Sequence, residues 1–226
     1  MRRIIYIITA LLIVSCAYKS TCIESYQKEK KVRHPGELLI LVNDRNKIPD
    51  TWNTNLVQLP NGKQIDQRVY PYLMRMTEDA KKDGCRIAIA SAYRSNEKQV
   101  SLYNTKCAFY QSQGYDNKTS QKKASQWVSQ PGTSEHQLGL SVDLVSYDYQ
   151  LLDKKQEETK EQKWLMNHCA QYGFILRYPV SKRGYTHVNY DPWHYRYVGK
   201  DDAVEIMNKG ICLEEYLNIK HNKNTI

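Results

Sequence analysis

Between Ser134 and Asp143 the chain reads Ser-Glu-His-Gln-Leu-Gly-Leu-Ser-Val-Asp, and this stretch restricts the possible folds more than any other. Leu140, Val142 and Leu144 alternate with Ser141 and Asp143, the period of a strand with one apolar face. Asp143 is therefore expected on a rigid element, pointing away from the apolar side. Gly139 lets the backbone turn tightly between that strand and the loop carrying His136. Further down the chain, Asp191-Pro192-Trp193-His194 offers a second polar cluster that one domain can bring back to the first. A Zn²⁺ site that keeps a position for water needs three protein ligands, usually imidazoles and carboxylates. His136, Asp143 and His194 supply such a set, and Asp191 is a carboxylate placed to act as base. On the first segment alone, a turn histidine with a salt-bridged aspartate is the better reading.

Two further blocks change that balance. Ser91-Ala-Tyr-Arg-Ser-Asn-Glu-Lys-Gln99 precedes the His136 segment, and Tyr190-Asp-Pro-Trp-His-Tyr-Arg-Tyr-Val-Gly199 comes after it. In this order the three blocks resemble the VanY-type D-alanyl-D-alanine carboxypeptidases, zinc peptidases related to VanX and to the metal-binding domain of hedgehog proteins. The resemblance runs from about Leu38 to Gly199. It implies an α+β domain with a small antiparallel sheet flanked by helices, holding one zinc on His136, Asp143 and His194. It also implies a base at position 191, Arg94 stabilising the oxyanion, and Ser134 and Gln99 contacting substrate. One position departs from the pattern: the family has Glu where this chain has Asp191. The implied reaction removes the C-terminal D-alanine from peptidoglycan precursors or stem peptides, which in some relatives contributes to glycopeptide resistance. An L,D-carboxypeptidase of the same family remains open, as does a zinc-containing peptidoglycan-binding protein with little turnover, which Asp191 would favour.

The rest of the chain fits one exported domain. Residues 1–22 carry Arg2-Arg3, then a largely apolar run from Ile4 to Val14, the pattern of an export signal. The run is short for a transmembrane helix, which needs about 20 residues. Ile13-Val14-Ser15-Cys16 resembles a bacterial lipobox, so the expectation is a domain outside the cytoplasmic membrane, tethered through lipidated Cys16 or a signal anchor. Residues 23–36 read as a basic linker, 37–219 as the peptidase domain and 220–226 as a polar tail. The net charge of +9 suits an anionic cell envelope, and no nucleic-acid-binding motif accompanies it.

Periodicity places the elements. Leu38–Val42 reads as a short buried strand, and residues 66–83 as a helix with Val69, Leu73, Met76 and Ala80 inward, stopped by Gly84. Residues 86–91 read as a strand delivering Arg94, and Ser95 as the N-cap of a helix closing near Gly114. Residues 117–130 are expected as an amphipathic helix with Ala124, Trp127 and Val128 inward, and 159–172 as another ending at Gly173. Glu135 alternates away from the ligands and is expected to be solvated. His168 and His187 are read as ordinary histidines. Because Asp191 and His194 would face opposite sides of a flat strand, a bulge or turn at Pro192 is required. Asp201-Asp202 are expected to cap the next helix. Cys85, Cys107, Cys169 and Cys212 have no Cys-x-x-Cys spacing and are read as free thiols or at most one disulfide.

Overall fold

Four antiparallel strands, β3 (Ile87–Ser91), β4 (Ser141–Ser146), β6 (Asp191–Tyr197) and β5 (Phe174–Tyr178), lie side by side in that order. A separate hairpin pairs β1 (Leu56–Gln58) with β2 (Gln64–Asp66), its turn running through Asn61-Gly62. This computed structural model describes residues 35–223, and the readings of residues 1–22, of Cys16 and of most of the 23–36 linker lie outside them. The chain divides between Glu37 and Leu38, and the unit from Leu38 onward contains both sheets. Among the described residues no helix is long and apolar enough to cross a membrane.

Helices cover the sheet because their apolar stripes need partners. Helix α1 (Tyr70–Lys82) tolerates Pro71 in its first turn, where no N–H is required, and buries Leu73, Met76 and Ala80 completely. These meet Leu140, Val142 and Leu144, the apolar side of β4, together with Leu165 and Cys169 from the segment holding α4 (Lys160–His168). Ser95 caps α2 (Asn96–Ser112) by accepting from the Lys98 N–H at 3.3 Å. A second cluster joins Ile175 and Val198 to Ala203 and Ile206 of α5 (Lys200–Lys209) and Leu213 and Tyr216 of α6 (Leu213–Lys223).

Several expectations are corrected. Leu38–Val42 forms no ladder strand: a helical turn, Pro35–Leu38, opens it, and the Leu38 and Ile40 carbonyls accept from the buried Arg196 guanidinium at 3.0 Å each. A side chain thus satisfies carbonyls that a neighbouring strand would otherwise take. Helix α3 (Asn117–Ser125) ends before Trp127, which is 44% exposed rather than inward. Gly199, not an aspartate, occupies the α5 N-cap, so Asp201 and Asp202 sit in its first turn, still favourably placed towards the helix dipole. Residues 220–223, read as part of the polar tail, continue α6. Among the described residues, Cys85, Cys107, Cys169 and Cys212 are all free and buried, in line with the free-thiol reading.

Candidate metal centre

Sheet register builds the centre. Ser91 pairs with Asp143 across β3 and β4, and Asp143 with His194 across β4 and β6, so these side chains share one face in a single row. The bulge expected near Pro192 is present: Leu176 opposes Tyr195 while Tyr178 opposes Asp191, so β6 carries extra residues between them. His136 arrives from the other side on a 3₁₀ turn, Glu135–Leu138. Gly139 ends that turn at φ +72°, and a Cβ there would meet the Thr54 methyl at 2.7 Å. The glycine is required by both its conformation and its surroundings.

His136 Nε2 lies 3.2 Å from Asp143 Oδ2, and His194 Nδ1 lies 3.0 Å from Asp143 Oδ1. The two rings meet edge to face at 4.8 Å, and all three residues are buried. One ligand atom from each falls within 4.8 Å of the others. The outer nitrogens are also committed, His136 Nδ1 to the Ala92 carbonyl at 2.7 Å and His194 Nε2 to Glu135 Oε2 at 3.4 Å. Each imidazole therefore has an acceptor at both nitrogens, whereas a neutral ring carries one N–H. Burial opposes charge on His194, but Asp143 and Glu135 outweigh it and raise it to about 9, so that ring can satisfy both acceptors with a second proton. A cation between the inner nitrogens and the Asp143 carboxylate would take that proton's place, leaving each outer N–H to its acceptor, the usual arrangement of metal-binding histidines. The donor set fits zinc. Burial, with Arg94 nearby, holds His136 down at about 4 and so keeps its lone pair available. Burial works against charge on Asp143 too, but His136, His194 and Arg94 outweigh it and keep the carboxylate well below its ordinary range.

Glu135 is the residue that sequence reasoning missed. It is 2% exposed rather than solvated, with Oε1 2.7 Å from Arg177 Nε and Oε2 facing His194. Arg196 Nη1 lies 2.9 Å from the same Oε1, an ion pair by distance with poor hydrogen-bond alignment. Arg177 in turn forms a two-pronged pair with Glu214 of α6, at 2.7 and 2.9 Å. Burial opposes ionisation of Glu135, but Arg177 and Arg196 outweigh it and hold the carboxylate far below its usual value. The available signal was the count of arginines: Arg177 and Arg196 lie on strands, each needing a buried acid.

Glu135→Gln should therefore weaken zinc binding by about 10- to 100-fold, as losing an outer partner of a ligating histidine does, measured by competition with a chromogenic chelator. The same variant should be destabilised by about 3 kcal/mol at neutral pH, since it leaves buried arginine charge less compensated. Because the folded carboxylate titrates below the unfolded one, its contribution is complete above about pH 4.3 and is lost as pH falls through the folded value. The stability gap from wild type should narrow in acid, read from denaturant midpoints of the zinc-free proteins.

Arg94 and Asp191 both lie close enough to the centre for their charges to act on it. Arg94 Nη2 donates to Asp143 Oδ2 at 2.7 Å and Nε to Ser91 Oγ at 2.9 Å, so the guanidinium is held in place. Asp191 is 7% exposed, and its Oδ1 is buried without a hydrogen-bond partner. Burial pushes it up to about 8 and Asp143 adds to this, while His194 and Arg94 pull the other way. Ser134 is buried beside His136, and its hydroxyl caps nothing. Gln99 is fully buried, donating to the Ser129 carbonyl at 2.7 Å, while its Oε1 has no partner. His168 stacks on Trp164 at 4.5 Å and His187 pairs with Asp44 at 2.8 Å, so neither joins the centre.

One imidazole and a carboxylate on neighbouring strands and a second imidazole on a 3₁₀ turn, beside a buried acid and a fixed arginine, form the donor set of a mononuclear zinc centre. The pattern of the VanY family, D-alanyl-D-alanine carboxypeptidase, matches residues 62–200, and the chain belongs to that family. A D-alanyl-D-alanine carboxypeptidase of Enterococcus faecalis is 44% identical over 181 residues, which cover 80% of this chain and 65% of that protein. The chain thus spans just under two thirds of that relative. The solved structure of a mutant of the vancomycin resistance D,D-pentapeptidase VanY with Zn(II) aligns with a TM-score of 0.73 at 42% identity, covering 80% of this chain and 99% of that one. The LdcB LD-carboxypeptidase aligns with a TM-score of 0.70 at 31% identity, covering 82% and 88%.

Proposed function

We propose that the protein is a zinc-dependent D,D-carboxypeptidase that removes the C-terminal D-alanine from peptidoglycan precursors or stem peptides. The observation that carries this is the buried His136–Asp143–His194 set, with Arg94 bonded to Asp143 and Asp191 close enough for its charge to couple to His194, in a VanY-family domain. Zinc, when bound there, acts as a Lewis acid on the scissile carbonyl and acidifies the attacking water. Asp191 takes that water's proton and returns it to the leaving amine. Its burial suits this work, since a buried carboxylate with an oxygen that no hydrogen bond satisfies holds a proton more readily than a solvated one. Arg94, fixed by Ser91 and Asp143, holds its remaining N–H groups towards the developing oxyanion, an interaction typically worth about 3 kcal/mol. Ser134 serves as a polar contact for the substrate backbone, while the fully buried Gln99 would act from behind the pocket wall through the Ser129 carbonyl it holds.

Incubating the zinc-loaded protein with a pentapeptide ending in D-Ala-D-Ala should release one D-alanine, measured by a coupled oxidase assay. Release from a tetrapeptide but not the pentapeptide would make it an L,D-carboxypeptidase, and release from neither would favour a binding protein.

The proposed location is the outer face of the cytoplasmic membrane, facing the cell wall, with Cys16 lipidated; the Ile13–Cys16 motif and the +9 charge support it. Cys16→Ala should abolish lipid labelling and release the protein from the membrane fraction. Recovery of the wild type as a soluble protein cleaved elsewhere, or with residues 1–16 intact, would refute the lipobox.

A further inference from the structure

Beside the metal centre lies a polar cleft of about 410 Å³, bounded by the Asn43–Arg45 loop, the end of α3 and the segment from Arg183 to Val188. It approaches the centre at Thr133, next to Ser134, and at Tyr178, whose ring lies 4.9 Å from that of His194 at a tilt of 33°. Arg45, Lys122 and Arg183 line it, and none of the three has a carboxylate partner among the described residues. Asp44 is the one acid among the described residues of the lining, and His187 already engages it at 2.8 Å. The walls are tied together. His187, the one non-glycine residue with positive φ among those described (φ 58°), closes the Arg183–Thr186 turn. That turn lets its imidazole bridge Asp44 and Arg45 Nη2, the latter at 3.1 Å. A side chain in this backbone region persists where its surroundings demand it.

The cleft is therefore a built surface with three cations and one acid, and that acid is engaged by His187 on the Arg45 side, away from any pairing with Lys122 or Arg183. We infer that it is the subsite for the substrate segment on the N-terminal side of the scissile bond, and that Arg183 and Lys122 engage a free carboxylate on that segment. The inference rests on the carboxypeptidase reading: only one alanine lies beyond the cut, and a cleft of this size is far larger than that residue needs. Guanidinium and ammonium groups on a cleft wall discriminate a carboxylate from its amide, because the amide offers no charge and half the acceptors.

The test uses two pentapeptides ending in D-Ala-D-Ala, identical except that the second residue carries a free carboxylate or a carboxamide. Calorimetric binding is measured to the full-length, zinc-loaded protein in an Asp191→Asn background, so that peptide is not consumed. The carboxylate form should bind about tenfold more tightly, the effect of one charge-assisted contact, and adding Arg183→Ala with Lys122→Ala should bring the two to parity. Equal affinities before those substitutions, survival of the preference after them, or no binding of either peptide would overturn the subsite. A third peptide keeps the second-residue carboxylate and carries a C-terminal amide. If Arg183→Ala with Lys122→Ala no longer weakens its binding, the cations read the chain end instead, and the proposal fails. D-alanine release from the same peptides by protein with Asp191 intact is scored separately. Absence of release would sink the carboxypeptidase reading, while the binding preference still decides the cleft.

Discussion

Asp191→Asn is expected to lower D-alanine release by at least about 100-fold, the span associated with losing a general acid–base group, while leaving one zinc bound. The asparagine keeps the size of the side chain and cannot take a proton. Zinc should stay because Asp191 lies outside the ligand set, although it is close enough for its charge to couple to His194, Asp143 and Arg94. The informative companion is Asp191→Glu, which restores the residue usual in the family. Aspartate is shorter by one C–C bond, ~1.5 Å, and a misplacement of about 1 Å can cost on the order of 100-fold in rate. The two acids are near equals as bases, with reference values of about 3.9 and 4.3, so any difference between them is one of reach. The β6 bulge and the coupling of Asp191 to the centre argue that the shorter acid does reach, and Asp191→Glu should preserve or raise turnover. An Asp191→Asn variant as fast as wild type would assign the base elsewhere. An inert wild type with an active Asp191→Glu would favour the binding protein.

His136→Ala, Asp143→Ala and His194→Ala should each lose most of the zinc on dialysis and with it all measurable turnover, because a three-ligand centre has none to spare. Metal analysis of the dialysed proteins is the check, and full stoichiometry in any two of the three would sink the site. Asp143→Ala should be the most damaging to stability. It removes the shared partner of both imidazoles and leaves Arg94, held at 2.7 Å, without its carboxylate. Chelation of the wild type should abolish turnover in the same way, and added zinc should restore it.

Much of the centre was legible locally. The alternation through Leu140–Leu144 set the face of Asp143, Gly139 marked the tight turn, and the spacing of Asp191 and His194 around Pro192 demanded the bulge that β6 contains. Such features depend on a few neighbouring residues and the fixed periods of helix and strand, which a sequence states directly. The three ligands were legible for the same reason, once three ordered motifs identified the family.

What the sequence could not state was which distant groups each buried charge would meet. Glu135 by its alternation should have faced water; the 3₁₀ turn and two arginines from other strands brought it inside, behind His194. The Leu38–Val42 run had the composition of a strand and became none, because Arg196 took its carbonyls first. Trp127 sat at helical spacing beyond the point where α3 ends. The cationic cleft joins segments far apart in the chain through His187 and Asp44. A charge is buried only where an opposite charge is delivered to it, and that delivery depends on strand order and register, which are properties of the assembled sheet. By itself the sequence determined the chemistry this chain carries; the tertiary structure alone decided what holds that chemistry in place.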